Sequence, residues 1–272
     1  MKNIDEVIEE IKEMFLNQDF PRQLGYQIIK AKEDKPSAHW SILNRLIMHN
    51  IGHTYDARTF KQWQAVGRHV KKGAKAFAII APITVTDKKV DQVTGKEQEE
   101  IKVIGFRGMP VFAYEVTDGD PLPVTEDNTQ KPNSANTSNL MEAIKRLGGK
   151  ISYAPYDGST LGYYRPSTNE IVLSDRSTIT LAHESAHFVV HHVLRREMKR
   201  NLEECTAELT ALTFCELFAE EGYEVQSYDY IREYAGLTDG TDPRNVIQVI
   251  SRVTNTVAEI ITVLLSAMDK HN

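Results

Sequence analysis

The run ITLAHESAHFVVHHVLRR, residues 179–196, restricts this chain more than any other stretch. Its small and apolar residues predict a helix, and on a helix His183 and His187 stand one turn apart on the same face, roughly 6 Å apart at Cβ. Two imidazoles so placed can both reach one zinc ion. Glu184, next to the first histidine, can point at a water on that ion and act as general base. The alternative is a core helix whose histidines are satisfied by hydrogen bonds. His191 is on the same face one turn further along, and it is read with His192 as outside the ligand set.

A zinc ion that does chemistry needs a third protein ligand and an open position. The stretch NLEECTAELTALTF, residues 201–214, offers one. Glu204 and Glu208 are four apart on a second predicted helix, so Glu204 can bind the metal while Glu208 hydrogen-bonds the free ring nitrogen of a ligand histidine. Read alone, the two acids would pass for a solvated helix face.

Charge is unevenly spread along the 272 residues. The net charge is −6, yet residues 22–86 carry 11 basic and 3 acidic residues, and RTFKQWQAVGRHVKKGAK, residues 58–75, has no acid at all. Binding of single strands without sequence preference combines cations for the phosphates with aromatic faces for the bases. Phe60 and Trp63, three apart on a predicted helix, supply candidate faces; Arg58, Lys61, Arg68, Lys71, Lys72 and Lys75 supply candidate phosphate contacts. Trp40 and Tyr55 are further aromatic candidates. The competing reading makes Phe60 and Trp63 core anchors and the lysines a solvated face.

Residues 117–139 are crowded with Pro, Asn, Thr, Ser and Asp, which marks a linker. The expected fold is therefore α+β in two domains: an N-terminal α+β domain with a β-hairpin over 1–118, a linker over 119–138, and a mainly helical C-terminal domain with a small sheet over 139–272. Helices are expected over 41–51 and 59–70, strands over 76–85 and 100–116, and after the linker a helix from 140, strands near 161–166 and 170–174, then helices to the end. The N-terminal run is acidic and amphipathic, without the positive start of a leader. The apolar run over 246–268 is interrupted by Arg252, Asn255 and Glu259, so it reads as an amphipathic helix and not a membrane span. Cys205 and Cys215 fall about 15 Å apart on one helix, too far to bridge, which suits a reducing, cytoplasmic setting.

HESAH followed by ECTAE resembles the gluzincin-type metallopeptidases of the ImmA/IrrE group. That likeness implies His183, His187 and Glu204 as zinc ligands, Glu184 as general base and Glu208 behind them. WSILNRLIMHN, with ARTFKQWQAVGRHVKKGAKAFAIIAPI after it, is similar to the N-terminal single-stranded-DNA-binding domain of ArdC-type antirestriction proteins, which join such a domain to a zincin domain in this order. Ser185 stands where the metallopeptidases usually carry Leu, and Thr206 where an acid is common. The likeness implies an antirestriction protein that binds single-stranded DNA and carries a zinc-dependent peptidase site able to take a protein substrate. Such chemistry also calls for an oxyanion donor, and Tyr163 or Tyr164, just before the strand EIVLS, is the candidate. Two rivals are a regulatory protease that cuts a repressor and a non-catalytic DNA-protecting protein with a structural zinc.

Overall fold

The computed structural model describes residues 4–29, 35–90, 97–122, 137–218, 233, 235–237 and 242–269. Most of the expected linker, 123–136, lies outside the described residues. The helices are α1 (Ile4–Phe15), α2 (Phe20–Ile29), α3 (Ile42–Asn50), α4 (Phe60–Ala65), α5 (Thr137–Arg146), α6 (Thr178–Phe188), α7 (Arg200–Phe218) and α8 (Pro243–Met268). A long antiparallel hairpin pairs β3 (Phe77–Val90) with β4 (Glu97–Ala113), and the short β1 (Ala57–Arg58) adds to the far side of β4. β2 (His69–Val70) pairs with β5 (Thr117–Asp118). After residue 137 a second three-stranded sheet runs in the order β6 (Lys150–Tyr153), β8 (Glu170–Leu173), β7 (Gly162–Arg165), with β6 parallel and β7 antiparallel to β8.

Local chemistry explains several boundaries. The Ser41 hydroxyl accepts the Asn44 N–H at the start of α3, and a Thr59–Gln62 capping box opens α4. α4 ends at Ala65, well short of residue 70, because the chain turns at Gly67 (φ 74°) and enters β2. The hairpin strands extend into the polar residues expected to join them. Strand β6 was not expected. Asn44 holds the hairpin to α3, since its Nδ2 donates to the Ile80 carbonyl at 2.8 Å and its Oδ1 accepts the Ile80 N–H at 2.9 Å.

The linker divides the sequence without dividing the core. One buried cluster takes Ile11, Phe15 and Leu24 from the N-terminal helices together with Leu209, Phe214, Val253 and Ile260 from α7 and α8. α2 lies against α7, and α1, α2 and α3 all touch α8. The α2–α7 approach is close enough that a Cβ on Gly25 would come within 2.8 Å of Leu217. Within α8 the stretch Asn245–Met268 is long and apolar enough to cross a membrane by length and composition. Val246, Ile250, Val253, Val257, Ile260 and Leu264 recur at helical spacing and are all buried, so this face belongs to the core.

Three residues read as DNA contacts have structural positions. Trp63 is fully buried and its Nε1–H donates to the Phe112 carbonyl at 2.9 Å. Arg58 is buried in an ion pair with Asp56 at 2.9 Å and lies over the Trp63 ring. Arg68 is 5% exposed; its guanidinium donates to the Thr117 hydroxyl and to the Thr117, Gly119 and Asp120 carbonyls, and it rests on Tyr114. These three are corrected from surface contacts to internal braces, because the early end of α4 folds this segment back onto β4 and β5.

Trp63→Ala is expected to destabilise the protein by about 3–5 kcal/mol, the usual loss for a large buried aromatic. Arg68→Ala is expected to cost about 1–3 kcal/mol through carbonyls left without donors. Urea denaturation of both variants checks this; midpoints equal to wild type would show that neither side chain braces the fold.

Candidate metal centre and nucleic-acid face

α6 carries the HESAH residues and lies along α7, which carries Glu203, Glu204 and Glu208. The Ser177 hydroxyl caps α6 by accepting the Thr180 N–H, which sets where the first turn begins and so which face holds the histidines. Across the gap, His183 Nε2 and His187 Nε2 are 3.3 Å apart, and Glu204 Oε2 lies 3.6 Å from the first and 3.7 Å from the second. Ligands held at roughly 2.0–2.2 Å in a tetrahedral shell sit roughly 3.3–3.6 Å from one another. The triangle therefore fits one divalent cation, and His183, His187 and Glu204 are the group whose donor atoms converge.

The ring nitrogens facing away from this triangle are also engaged. His183 Nδ1 is 3.0 Å from Glu208 Oε2, and His187 Nδ1 is 2.7 Å from Glu203 Oε1. A carboxylate only accepts, so each Nδ1 is an N–H donor, and each Nε2 faces the triangle, where a metal can take the place of its proton. Three donor atoms so placed can share one cation. Burial alone would lower the histidine pKa values, but hydrogen bonds to Glu204 and Glu208 lift His183 to about 10, and bonds to Glu203 and Glu204 lift His187 to about 9. Hydrogen bonds from the same two histidines hold Glu204 far below the usual carboxylate range.

A cleft of about 480 Å³ opens over this centre, lined by Gly162, Tyr163, Glu184 and Arg200 among others. Glu184 is 7% exposed; burial pushes its pKa up, against the pull of the two histidines, and the Tyr164 backbone N–H donates to it. Strand β7 comes so close to α6 that a Cβ on Gly162 would lie 2.9 Å from Thr180 Cγ2 and 3.2 Å from Glu184 Cγ. Glycine is required there by contact. The arrangement can hold a divalent ion and keep a carboxylate of raised pKa beside it.

His183, His187, Glu184, Glu204 and Glu208 are thus brought together. Tyr163 and Tyr164 both line the cleft, but the Tyr164 hydroxyl donates to Asn169 Oδ1 at 3.1 Å while the Tyr163 hydroxyl accepts from Arg165 at 3.0 Å. Sequence reasoning missed Glu203 and Gly162; the pair Glu203–Glu204 was a signal for the first, since adjacent acids project from α7 at different angles. Of the candidate DNA contacts, Phe60 is half exposed and lies edge-on to Phe112, and Lys61, Lys71, Lys72 and Lys75 are exposed. Lys71 also pairs with Asp118 at 3.4 Å. Tyr55 is half exposed and tilts over His49.

Residues 4–112 match the family model described as the N-terminal domain of anti-restriction factor ArdC. Among curated protein sequences none matches. The fold resembles the crystal structure of the antirestriction ArdC protein from plasmid R388 in its metal-free form, with a TM-score of 0.52 and 20% identity over 91% of this chain and 98% of that one. It resembles the Mn(II)-bound form of the same protein with a TM-score of 0.53 and 18% identity over 85% of each chain. The N-terminal part of the chain is thus matched by the ArdC N-terminal family model, and its fold is shared with the ArdC antirestriction protein over most of both chains.

Proposed function

We propose that this chain is an antirestriction protein that binds single-stranded DNA and hydrolyses peptide bonds at a zinc ion held by His183, His187 and Glu204 in a gluzincin-like C-terminal half. The observation that carries the catalytic part is the convergence of those three donor atoms at 3.3–3.7 Å beside the buried Glu184. Two imidazoles and one carboxylate suit zinc, which binds such nitrogen-rich sites more tightly than manganese does. The Mn(II)-bound relative supports a divalent ion in this fold. When bound, the ion supplies Lewis acidity and makes a water more acidic.

The protein's own groups would do the rest. Glu184 accepts a proton from the attacking water at its carboxylate and returns it to the departing amine, a task that its raised pKa suits. Gly162 and the Tyr164 N–H keep that carboxylate in place. The Tyr163 hydroxyl, whose oxygen is already occupied by Arg165, has its proton free to stabilise charge on the carbonyl oxygen. Phe60 offers a face for an unpaired base, and Lys61, Lys71, Lys72 and Lys75 offer charge to phosphates. Cys205 and Cys215, both buried and not joined in a disulfide, accord with a cytoplasmic setting.

Metal-free protein is expected to bind about one Zn²⁺ per chain, and His183→Ala, His187→Ala or Glu204→Ala to abolish tight binding, while Glu208→Ala weakens it about 10–100-fold. At pH 7 both histidines of the metal-free site hold an extra proton, since their pKa values are about 10 and 9. Metal must displace those protons, so affinity should rise with pH, by up to about tenfold per proton per pH unit, and level off only above pH 9–10. Titration calorimetry in buffers of different ionisation enthalpy measures the release; affinity independent of pH would refute it.

Single-stranded DNA is expected to bind in preference to duplex, with affinity falling as salt rises. Neutralising Lys71, Lys72 and Lys75 together should flatten that slope, whereas Phe60→Ala should weaken binding and leave the slope nearly unchanged. Glu184→Gln should abolish peptide hydrolysis and leave DNA binding intact. Fluorescence anisotropy over a salt series, with a peptide-cleavage assay alongside, reads all of these; equal binding of single strands and duplex would sink the DNA reading.

A further inference from the structure

We infer that His191 is a positioning residue for the metal centre, acting through Glu203 to fix His187 and so to set how tightly a divalent ion is held. The inference rests on the metal site proposed above. His191 comes four residues after His187, where a regular helix would present it on the ligand face one turn on. The helix instead widens to a π turn over Val189–Val193, a rare device that re-aims side chains. His191 then meets α7, with Nε2 at 2.8 Å from Glu203 Oε1.

That oxygen is the one His187 Nδ1 approaches at 2.7 Å. Because the carboxylate supplies no proton, both contacts are N–H donations into one oxygen. Two charge-assisted bonds from different directions confine Glu203 to one rotamer, and with it the plane of the His187 ring. Glu203 is itself largely shielded from water, with its side chain 15% exposed. The other side of His191 is also fixed, for its ring stacks on Tyr164 at 6.1 Å and 19°, and the Tyr164 N–H holds Glu184. His191 is thus wedged between the strand that steadies the general base and the carboxylate that steadies a metal ligand.

The test measures Zn²⁺ and Mn²⁺ affinity of the full metal-free chain at one pH, by competition with a chromophoric chelator. It compares wild type, His191→Phe, His191→Leu, His191→Gln, Glu203→Gln and the double variant His191→Phe/Glu203→Gln, with thermal melts to verify folding. His191→Phe keeps the stack on Tyr164 and removes the hydrogen bond, and it should weaken binding about 5–10-fold, near the low end for outer-shell partners. His191→Leu should match it, and His191→Gln, which retains an N–H donor, should stay within about twofold of wild type. On the Glu203→Gln background His191→Phe should add nothing, because the two residues act in series. The inference is overturned if His191→Phe and His191→Leu bind like wild type, if His191→Gln is as weak as His191→Phe, or if His191→Phe costs the same factor with and without Glu203. Should one hydrophobic variant fail to fold, the other and the Gln comparison decide the matter. Wild type that binds neither ion overturns the site itself, and this inference with it. Wild type that binds while the His191 series stays flat overturns the inference alone.

Discussion

Everything at the candidate centre depends on the contact between α6 and α7. It places two imidazoles of one helix against three carboxylates of the other, with Glu184 buried beside them. Four acids around two histidines would repel one another severely if all were left without compensation. The hydrogen bonds across the contact relieve part of this, and a divalent ion in the triangle would relieve more. The site thus carries an excess of negative charge that a cation in the triangle would offset. The same excess explains why the metal-free histidines hold protons so firmly.

α7 can present that charged face because its other faces are secured. Leu209, Leu212 and Phe214 are buried, and α2, α6 and α8 surround the helix. The N-terminal helices are therefore part of what keeps Glu203, Glu204 and Glu208 in register with α6. Farther along the chain, Arg68 and Trp63 tie α4 and β2 to the end of β4 and to β5, which leaves Phe60 and the lysines after β2 at the surface.

Much of the metal centre was legible in the sequence, because helical spacing turns a five-residue motif into geometry. His183 with His187, and Glu204 with Glu208, need only one turn of helix each to be brought onto common faces. Glu203 was signalled only by its adjacency to Glu204, and its second contact, with His191, depends on a π turn that no local residue announces. Reading the N-terminal cations was harder. Arg58 and Arg68 sit in a stretch without acids in sequence, but their partners, Asp56 and the carbonyls of residues 117, 119 and 120, come from just outside that stretch or from some fifty residues away. Trp63 was placed on the right helix, but its burial was decided by β4. The hairpin and two strands of the second sheet were legible from runs of β-favouring residues, and β6 was missed because it has only four residues and its parallel partner β8 lies some twenty residues further on.

The crossing of α2 and α7 at Gly25 has a consequence for how such a chain can evolve. A Cβ there would collide with Leu217, so the two helices fit one another closely although more than half the sequence separates them. A recombination event that joined this N-terminal half to a foreign C-terminal half at the polar segment would bring together surfaces never selected to meet. In sequence the polar segment resembles a seam between exchangeable modules, whereas the helices pack the described residues on either side of it into one core.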